Sequence, residues 1–261
     1  RFARQLGLRV AIGGEDASRA DHGFLGAVMH AAERAGAFKF RFADTLGVLD
    51  PFKTYEIFKL LRERTQLDLE FHGHDDLGLA AANTLAAVRG GASHVSVCVL
   101  GLGERAGNAA LETVIAGLTH VERRETRVDS ACLAELARTV ASAAGRNIPE
   151  SKPIVGGAAF MHESGIHVSG LLRDPASYEA IAPEPFGRRR EIVLGKHSGR
   201  AGLRFKLANL GLDLNECELP GLLARVRAYA AEHKRVLRDE DLLQLYTQTF
   251  ALTSEERSWE C

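Results

Sequence analysis

The sequence predicts an α/β protein built on parallel strands, and three observations indicate this class. Short apolar segments recur along the first half of the chain at nearly constant intervals. A stretch with the pattern of an amphipathic helix lies between each pair of them. Polar residues able to do chemistry gather in the loops that follow these segments, where parallel α/β proteins place their sites.

Four strands are predicted in order, over residues 8–12, 38–42, 67–71 and 94–98. Their starts at residues 8, 38, 67 and 94 are 30, 29 and 27 residues apart. Helices are predicted over residues 19–35, 51–64 and 77–89, and another after Gly107. Pro51 suits the first turn of the second of these helices.

A strand–helix unit of this length has the period of a (β/α)8 TIM barrel, which takes about 250 residues. Only four units fit before residue 120, and four parallel strands cannot close a barrel. The sequence therefore predicts either an open, doubly wound sheet or the C-terminal half of a barrel. The first residue is Arg1 rather than Met, and the segment that follows resembles the end of a helix, so we expect the N-terminal half to be missing.

Beyond Thr119 the spacing changes. Helices are predicted over residues 130–144, 200–210, 219–233 and 239–250, with a strand-to-loop segment at 191–199. We predict a partial TIM-barrel catalytic domain over residues 1–125. A mainly helical region over residues 126–261 is expected to contribute to a dimer and to the active site.

The composition is that of an ordinary globular protein. The 261 residues are 46% hydrophobic and have a net charge of -1, so there is no electrostatic reason to expect nucleic acid or an anionic membrane as a partner. The sequence has no apolar run of membrane-spanning length and no recognisable signal peptide. The four cysteines form no CxxC pair, so we expect a reducing, cytoplasmic setting.

The most informative motif is Glu70-Phe-His-Gly-His-Asp-Asp-Leu-Gly78. In an extended segment His72 and His74 point to the same side, away from the apolar residues that alternate with them. Two imidazoles at a strand end supply two of the three ligands of a facial metal site, although an exposed polar face is the alternative. Asp75 and Asp76 are expected to cap the next helix.

Three further loops contain candidate residues. Glu15 follows the first strand and is an acid–base candidate, whereas Asp16 or Ser18 is expected to cap the helix after it. Thr45, after the second strand, is either part of a cap and turn or a hydroxyl donor to a substrate carboxylate. The loop Gly101-Leu-Gly-Glu-Arg-Ala-Gly-Asn108 has enough glycine to bring backbone amides close to an anion.

His162-Glu-Ser-Gly-Ile-His167 differs from the zincin motif by one residue of spacing. On a helix the two imidazoles would diverge, so an acid–base role for one of them is favoured over a shared metal. Gly195-Lys-His-Ser-Gly199 lacks the upstream glycine of a P-loop and does not indicate nucleotide hydrolysis.

Taken together, these blocks resemble the 2-isopropylmalate synthase and homocitrate synthase family of metal-dependent acyl-CoA condensing enzymes. Within it the chain looks most like homocitrate synthases of the nitrogen-fixation type. The similar blocks occur in family order over nearly the whole chain: Glu-Asp-Ala-x-Arg (15–19), Asp-Thr-x-Gly (44–47), His-x-His-Asp-Asp-x-Gly (72–78), Ala-Asn-Thr-Leu-Ala-Ala (82–87), Gly-Leu-Gly-Glu-Arg-Ala-Gly-Asn (101–108), His-Glu-Ser-Gly-Ile-His (162–167) and Leu-Gly-Lys-His-Ser-Gly-Arg (194–200).

The resemblance implies a TIM barrel followed by a mainly helical region. It implies a divalent metal (Mg, Mn or Zn) held by His72 and His74, with Asn108 at or near the coordination sphere. Thr45 would bind the oxo-acid carboxylate, and Arg105, with Lys196, is a candidate anion-binding group.

The resemblance further implies that Glu15 and His167 are the acid–base residues. His167 is expected to reach the barrel of a neighbouring subunit in a homodimer. Acetyl-CoA would be the co-substrate and 2-oxoglutarate the acceptor, giving homocitrate and CoA. The alternatives are a 2-isopropylmalate synthase acting on 2-oxoisovalerate, or a non-catalytic truncated remnant.

Two departures from the family pattern stand out. No segment matches the Asp-x-Thr-Leu-Arg-Asp-Gly strand that supplies the third metal ligand and a catalytic arginine. Where relatives often have Thr-x-Asn-Gly, this chain has Cys98-Val-Leu-Gly101, which removes the polar side chains expected at those positions.

Overall fold

A computed structural model describes the backbone of residues 1–256 and the side chains of residues 1–250; Cys261 lies outside the described residues. The chain divides into two compact units, Arg1–Gly156 and Gly157–Cys261. The division falls later than the predicted boundary at residue 125. The reason is that a helix at Leu133–Ala143 buries its apolar face, including Leu133 and Ala137, and contacts the turn at Val99–Gly101 in the first unit.

The first unit alternates strands and helices. In chain order its elements are α1 (Phe2–Gln5), β1 (Ala11–Gly14), α2 (His22–Arg34), β2 (Lys39–Asp44), α3 (Pro51–Arg64), β3 (Asp68–Gly73), α4 (Ala80–Gly90), β4 (His94–Ser96), α5 (Leu111–His120) and α6 (Leu133–Ala143). The four strands form one parallel sheet in the order β1-β2-β3-β4. This arrangement agrees with the predicted sheet of parallel strands in sequence order.

Caps set where two of the helices begin. The side chain of Asp50 accepts hydrogen bonds from the backbone amides of Phe52 and Lys53, and Pro51 opens α3. Helix α2 begins at His22 because Asp21 caps it. The expectation that Asp16 or Ser18 would cap it was wrong: Asp16 precedes a short 3-10 turn and its carboxylate pairs with Arg19.

Alternation along the strands separates an apolar face from a polar face. Phe42 and Phe71 are fully buried, and Phe58 of α3 packs its ring against both, with centroids 5.4 and 5.6 Å away. The residues that alternate with these phenylalanines, among them Arg41 and His72, face the other side of the sheet. The helices therefore cover the apolar face, and the chemistry-bearing residues occupy the polar face.

The second unit is mainly helical, as predicted. Its elements are β5 (Met161–His162), α7 (Gly165–Leu171), β6 (Glu191–Ile192), α8 (Arg200–Asn209), α9 (Leu219–His233) and α10 (Asp239–Glu256). The short strands β5 and β6 pair in parallel, and a leucine-rich core including Leu203, Leu219 and Leu222 joins α8 and α9. No helix within residues 1–256 is long and apolar enough to cross a membrane.

A buried carboxylate near the start of α10 connects that helix with α9 and with the segment that follows α9. Asp241 is 5% exposed and accepts hydrogen bonds from the Tyr229 hydroxyl at 2.7 Å and from Arg235 Nη1 at 2.6 Å. These bonds, that from Arg235 foremost, hold the pKa of Asp241 far below its ordinary value of 3.8.

We expect Asp241→Asn to lower the free energy of unfolding at neutral pH. The unfolded carboxyl protonates near pH 3.8 whereas the folded one stays ionised, so its stabilising contribution is complete at neutral pH and is lost as the pH falls below about 3.8. Urea unfolding at neutral pH and at about pH 3 measures this, and the difference between wild type and variant should shrink at the lower pH. Arg204→Ala, which removes an exposed ion pair with Glu216, is the control and should have little effect at either pH. A difference of the same size at both pH values would contradict the assignment.

Candidate active site

The predicted metal ligands lie at the carboxyl end of β3. His72 is paired in register with Ala43 of β2 and Ser96 of β4, and His74 follows the strand. Their rings lie side by side, with centroids 5.0 Å apart and planes at 79°. The Nδ1 atoms of both are buried and have no hydrogen-bond partner among the described residues.

Asn108 joins this pair from the loop before α5. It forms an antiparallel bridge with His74, and its Nδ2 donates to the carbonyl oxygen of Leu102 at 3.0 Å and to Cys98 Sγ at 3.2 Å. Because a carbonyl can only accept, the contact with Leu102 fixes which end of the amide is the donor. Asn108 Oδ1 is buried and lacks a partner among the described residues, so it is free to act as a ligand.

The glycines of this loop are required by its close contacts. Gly107 has φ +101°, and a Cβ there would collide with the carbonyl oxygen of Gly101. A Cβ at Gly103 would overlap the amide of Asn108. The carbonyl oxygen of Gly107 also accepts a hydrogen bond from the Asp75 amide at 2.9 Å, which joins the loop to the end of β3. The glycines thus bring Asn108 to the histidine pair.

The environment of His72 favours the neutral imidazole. Burial lowers its pKa below the ordinary value, and the positive charge of Arg41 acts in the same direction. The neutral ring is the form that binds a metal ion. This is the protonation state that the predicted role requires.

The nitrogen and oxygen donors at this site are of the kinds that hold a divalent ion. Within residues 1–250 no three His, Cys, Asp or Glu side chains gather in a way that would hold a metal. The chain offers two imidazoles and one amide oxygen, all with buried atoms that lack partners. Nitrogen and oxygen donors suit zinc, manganese and similar ions. These side chains fit a divalent metal ion, and their assignment as its ligands stays a prediction.

Glu15 and Thr45 meet at the ends of β1 and β2. The Thr45 hydroxyl accepts a hydrogen bond from the Asp16 amide at 2.8 Å and lies 3.2 Å from Glu15 Oε2, to which it donates. Asp44, fully buried, orients this turn by accepting from the amides of Val48 and Leu49. The Glu15 side chain is 73% exposed and so is accessible to a ligand.

Arg105, whose predicted role in binding an anion stays a prediction, contacts the loops that follow β2 and β3. Its Nε and Nη2 donate to the two carboxylate oxygens of Asp76 at 2.7 and 2.9 Å, and Nη2 also donates to the carbonyl oxygen of Thr45 at 2.7 Å. Arg105 therefore connects the loops that follow β2, β3 and β4. The expectation that Asp76 caps a helix was wrong, because its carboxylate pairs with Arg105; Asp75 instead accepts from the Ala80 amide at the start of α4.

Sequence reasoning missed the cation beside the site. Arg41 lies on the polar face of β2, with Nε 3.5 Å from Glu70 Oε1 and Nη1 4.0 Å from Glu15 Oε1. The signal was present in the alternation of β2, which places Lys39 and Arg41 on the same face as the histidine pair.

The histidines of the second unit have separate partners. His167 is exposed on α7 and its ring stacks on Tyr178, with centroids 4.5 Å apart. His162 Nε2 lies 3.5 Å from Glu179, which Arg190 also binds. Lys196 is exposed in a loop beside Glu163 and His197. In keeping with their spacing, His162 and His167 do not form a pair.

Two family models match parts of this chain. A family model described as HMGL-like matches residues 1–140, which is more than half of the chain. The chain belongs to the HMGL-like family. A second model, described as "Homocitrate synthase post-HMGL domain-like", matches residues 154–234 of this HMGL-like chain.

Curated relatives of the HMGL-like chain include three synthases. It is 48% identical over 246 residues to "2-isopropylmalate synthase 2" of Caldanaerobacter subterraneus subsp. tengcongensis, covering 94% of this chain and 64% of that protein. It is 48% identical over 244 residues to "Homocitrate synthase 1" of Nostoc sp., covering 94% of this chain and 65% of that protein. It is 40% identical to "(R)-citramalate synthase CimA" of Methanocaldococcus jannaschii, covering 98% of this chain and 52% of that protein. The chain thus spans less than two thirds of the length of these relatives.

Among solved structures, the HMG-CoA lyase of Bacillus subtilis is similar to the HMGL-like chain with a TM-score of 0.50. The match has 22% sequence identity and covers 57% of this chain and 54% of the lyase. At this identity the likeness shows the fold alone. Together with the family match, it confirms the predicted fold class, a TIM-barrel-type parallel α/β unit followed by a mainly helical region.

Proposed function

We propose that this protein condenses the acetyl group of acetyl-CoA with 2-oxoglutarate, giving homocitrate and CoA. The observation that supports this most directly is the set of three unpartnered buried atoms at the carboxyl end of β3, Nδ1 of His72, Nδ1 of His74 and Oδ1 of Asn108. They lie in an HMGL-like chain whose curated relatives are named as homocitrate, isopropylmalate and citramalate synthases.

We further propose that His72, His74 and Asn108 hold a divalent ion, which when bound polarises the keto group of the oxo acid. The residues of the chain prepare this site. The contacts of Asn108 with Leu102 and Cys98 aim its amide oxygen, and burial keeps His72 neutral. Preorganisation of this kind lowers the cost of binding because the ligands need not rearrange.

Thr45 and Glu15 are suited to the oxo acid and the proton transfers. The Thr45 hydroxyl, now donating to Glu15, would donate to the substrate carboxylate instead. In the reaction a base removes a proton from the acetyl methyl group, the new carbon–carbon bond forms at the keto carbon, and the keto oxygen gains a proton. Water then cleaves the thioester and CoA leaves. Glu15 and His167 are the proposed acid–base pair.

We propose that His167 acts in the barrel of a second copy of the chain, so that the active protein is a homodimer. Its imidazole is exposed on α7, next to the exposed side chain of Ile166, and is therefore available to a partner. Light scattering of the full-length protein tests this, and a monomer with full activity would contradict it.

The substrate assignment predicts a selective thiol-release reaction. With a divalent ion present, the full-length protein should release CoA from acetyl-CoA when 2-oxoglutarate is added, with kcat/KM at least about tenfold above that for 2-oxoisovalerate or pyruvate. A thiol-reactive dye measures the release, and reactions without oxo acid are the control. Preference for 2-oxoisovalerate would move the assignment to isopropylmalate synthesis, which the 48% identity to the Caldanaerobacter protein favours as the second candidate.

The non-catalytic alternative makes its own prediction. A remnant would release no thiol with any 2-oxo acid and would bind no divalent ion at micromolar concentration. Calorimetric titration with Mn²⁺ therefore separates a remnant from an enzyme whose substrate has been assigned wrongly.

A further inference from the structure

On the polar face of the sheet, charged residues lie one layer nearer the amino ends of the strands than the histidine pair. Arg41 lies in register with Gly13 of β1 and Glu70 of β3, whereas the next layer toward the carboxyl end holds Ala43 and His72. Two residues along a strand separate these layers by about 6.6 Å. A five-carbon diacid held at one end beside His72 can span that distance with its chain.

The guanidinium of Arg41 forms only weak ion pairs. Glu70 has two cationic neighbours, Lys39 and Arg41, and Lys39 is the closer of the two. The other carboxylate near Arg41 is the exposed Glu15, 4.0 Å away, where solvent weakens the attraction. Among the described residues Arg41 makes these ion-pair contacts and no hydrogen bond. Its planar set of donors is thus available for another carboxylate.

Small residues leave room around Arg41. Gly13 lies opposite it on β1, and a Cβ built there would meet no atom within 4 Å. Ala43 follows on its own strand toward His72.

We propose that Arg41 binds the distal carboxylate of a 2-oxo dicarboxylic acid and thereby selects a diacid over a monocarboxylic 2-oxo acid. This inference rests on the proposed function and adds the residue that decides the substrate class. A planar guanidinium binds a carboxylate through two parallel hydrogen bonds, which gives both charge and direction. A 2-oxo acid with an alkyl chain in that place would bring apolar atoms against the guanidinium of Arg41 and displace its water without supplying a carboxylate, which is unfavourable.

The test compares two substrates of the same chain length, 2-oxoglutarate and 2-oxopentanoate, which lacks the distal carboxylate. Arg41→Met in the full-length protein should lower kcat/KM for 2-oxoglutarate by about 10- to 100-fold and change that for 2-oxopentanoate by less than about threefold. Arg41→Lys, which retains the charge without the planar donors, should fall between wild type and Arg41→Met. Arg34→Met, which removes an exposed cation at the end of α2, should change neither value.

Calorimetric binding of the two acids, in the presence of Mn²⁺ and the absence of acetyl-CoA, provides a readout independent of turnover. Selective loss of 2-oxoglutarate binding in Arg41→Met supports the inference even if the chemistry differs from that proposed. Equal loss for both acids, or no loss for either, overturns it. A wild-type protein that condenses 2-oxopentanoate but not 2-oxoglutarate also overturns it, while leaving the condensing reaction in place.

Discussion

Replacing His72 with alanine should lower the affinity for a divalent ion by at least about 100-fold and abolish measurable condensation. The reason lies in the geometry: the rings of His72 and His74 are 5.0 Å apart, and the remaining imidazole with Asn108 would supply only two donors. His74→Ala should have the same effect. Titration calorimetry with Mn²⁺ and the thiol-release assay measure the two consequences separately.

His94→Ala is the matched control for this loss. His94 lies in β4 on the same face of the sheet, in register with Glu70, but one layer nearer the amino ends of the strands than His72. It is exposed, and its ring nitrogen contacts only the Ser93 hydroxyl among the contacts described for it. The affinity of this variant should equal that of wild type. If His72→Ala bound the ion as tightly as His94→Ala, the site assignment would be wrong.

Replacing Gly107 with alanine should damage both the fold and the site. At φ +101° an alanine is strained, and its Cβ would collide with the carbonyl oxygen of Gly101. We expect a loss of about 1–3 kcal/mol in the free energy of unfolding. Relief of the collision would shift Asn108 and the hydrogen bond between Gly107 and Asp75, so the affinity for Mn²⁺ should fall as well. Urea unfolding and calorimetry measure the two effects.

Gly145→Ala is the control, because it introduces backbone strain without a steric collision. Gly145 also has positive φ, at +62°, but a Cβ there meets nothing within 4 Å. This variant should lose less stability than Gly107→Ala, and its affinity for Mn²⁺ should be unchanged. Equal effects of the two substitutions on metal binding would show that the loop does not position Asn108.

Local patterns were enough to predict much of the fold. The thirty-residue interval and the alternation of apolar residues predict parallel strands in order, because both depend on the geometry of one strand or one helix at a time. Pro51 was predicted in the first turn of α3, and it opens that helix, for the same reason. The side-by-side rings of His72 and His74 also follow from a spacing of two residues in an extended segment.

One error arose where a side chain had a choice of partners. Asp76 was expected to cap the nearby helix, yet its carboxylate pairs with Arg105, 29 positions away. Arg105 also donates to the carbonyl oxygen of Thr45, 60 positions away, and its role as an anion-binding group stays a prediction. A long arginine side chain reaches several loops, and which one it meets depends on how those loops pack.

The sequence by itself determined the class of fold, the order of its strands and the identity of the histidine pair, because each depends on a repeat or spacing within a short segment. Only the tertiary structure decided that Asn108 Oδ1 is buried without a partner and that Arg41 lies loosely held one layer below His72. Those facts depend on strand register and on how closely a glycine-rich loop approaches its neighbours. Register and loop approach are set by packing between segments distant in sequence, which no local pattern encodes.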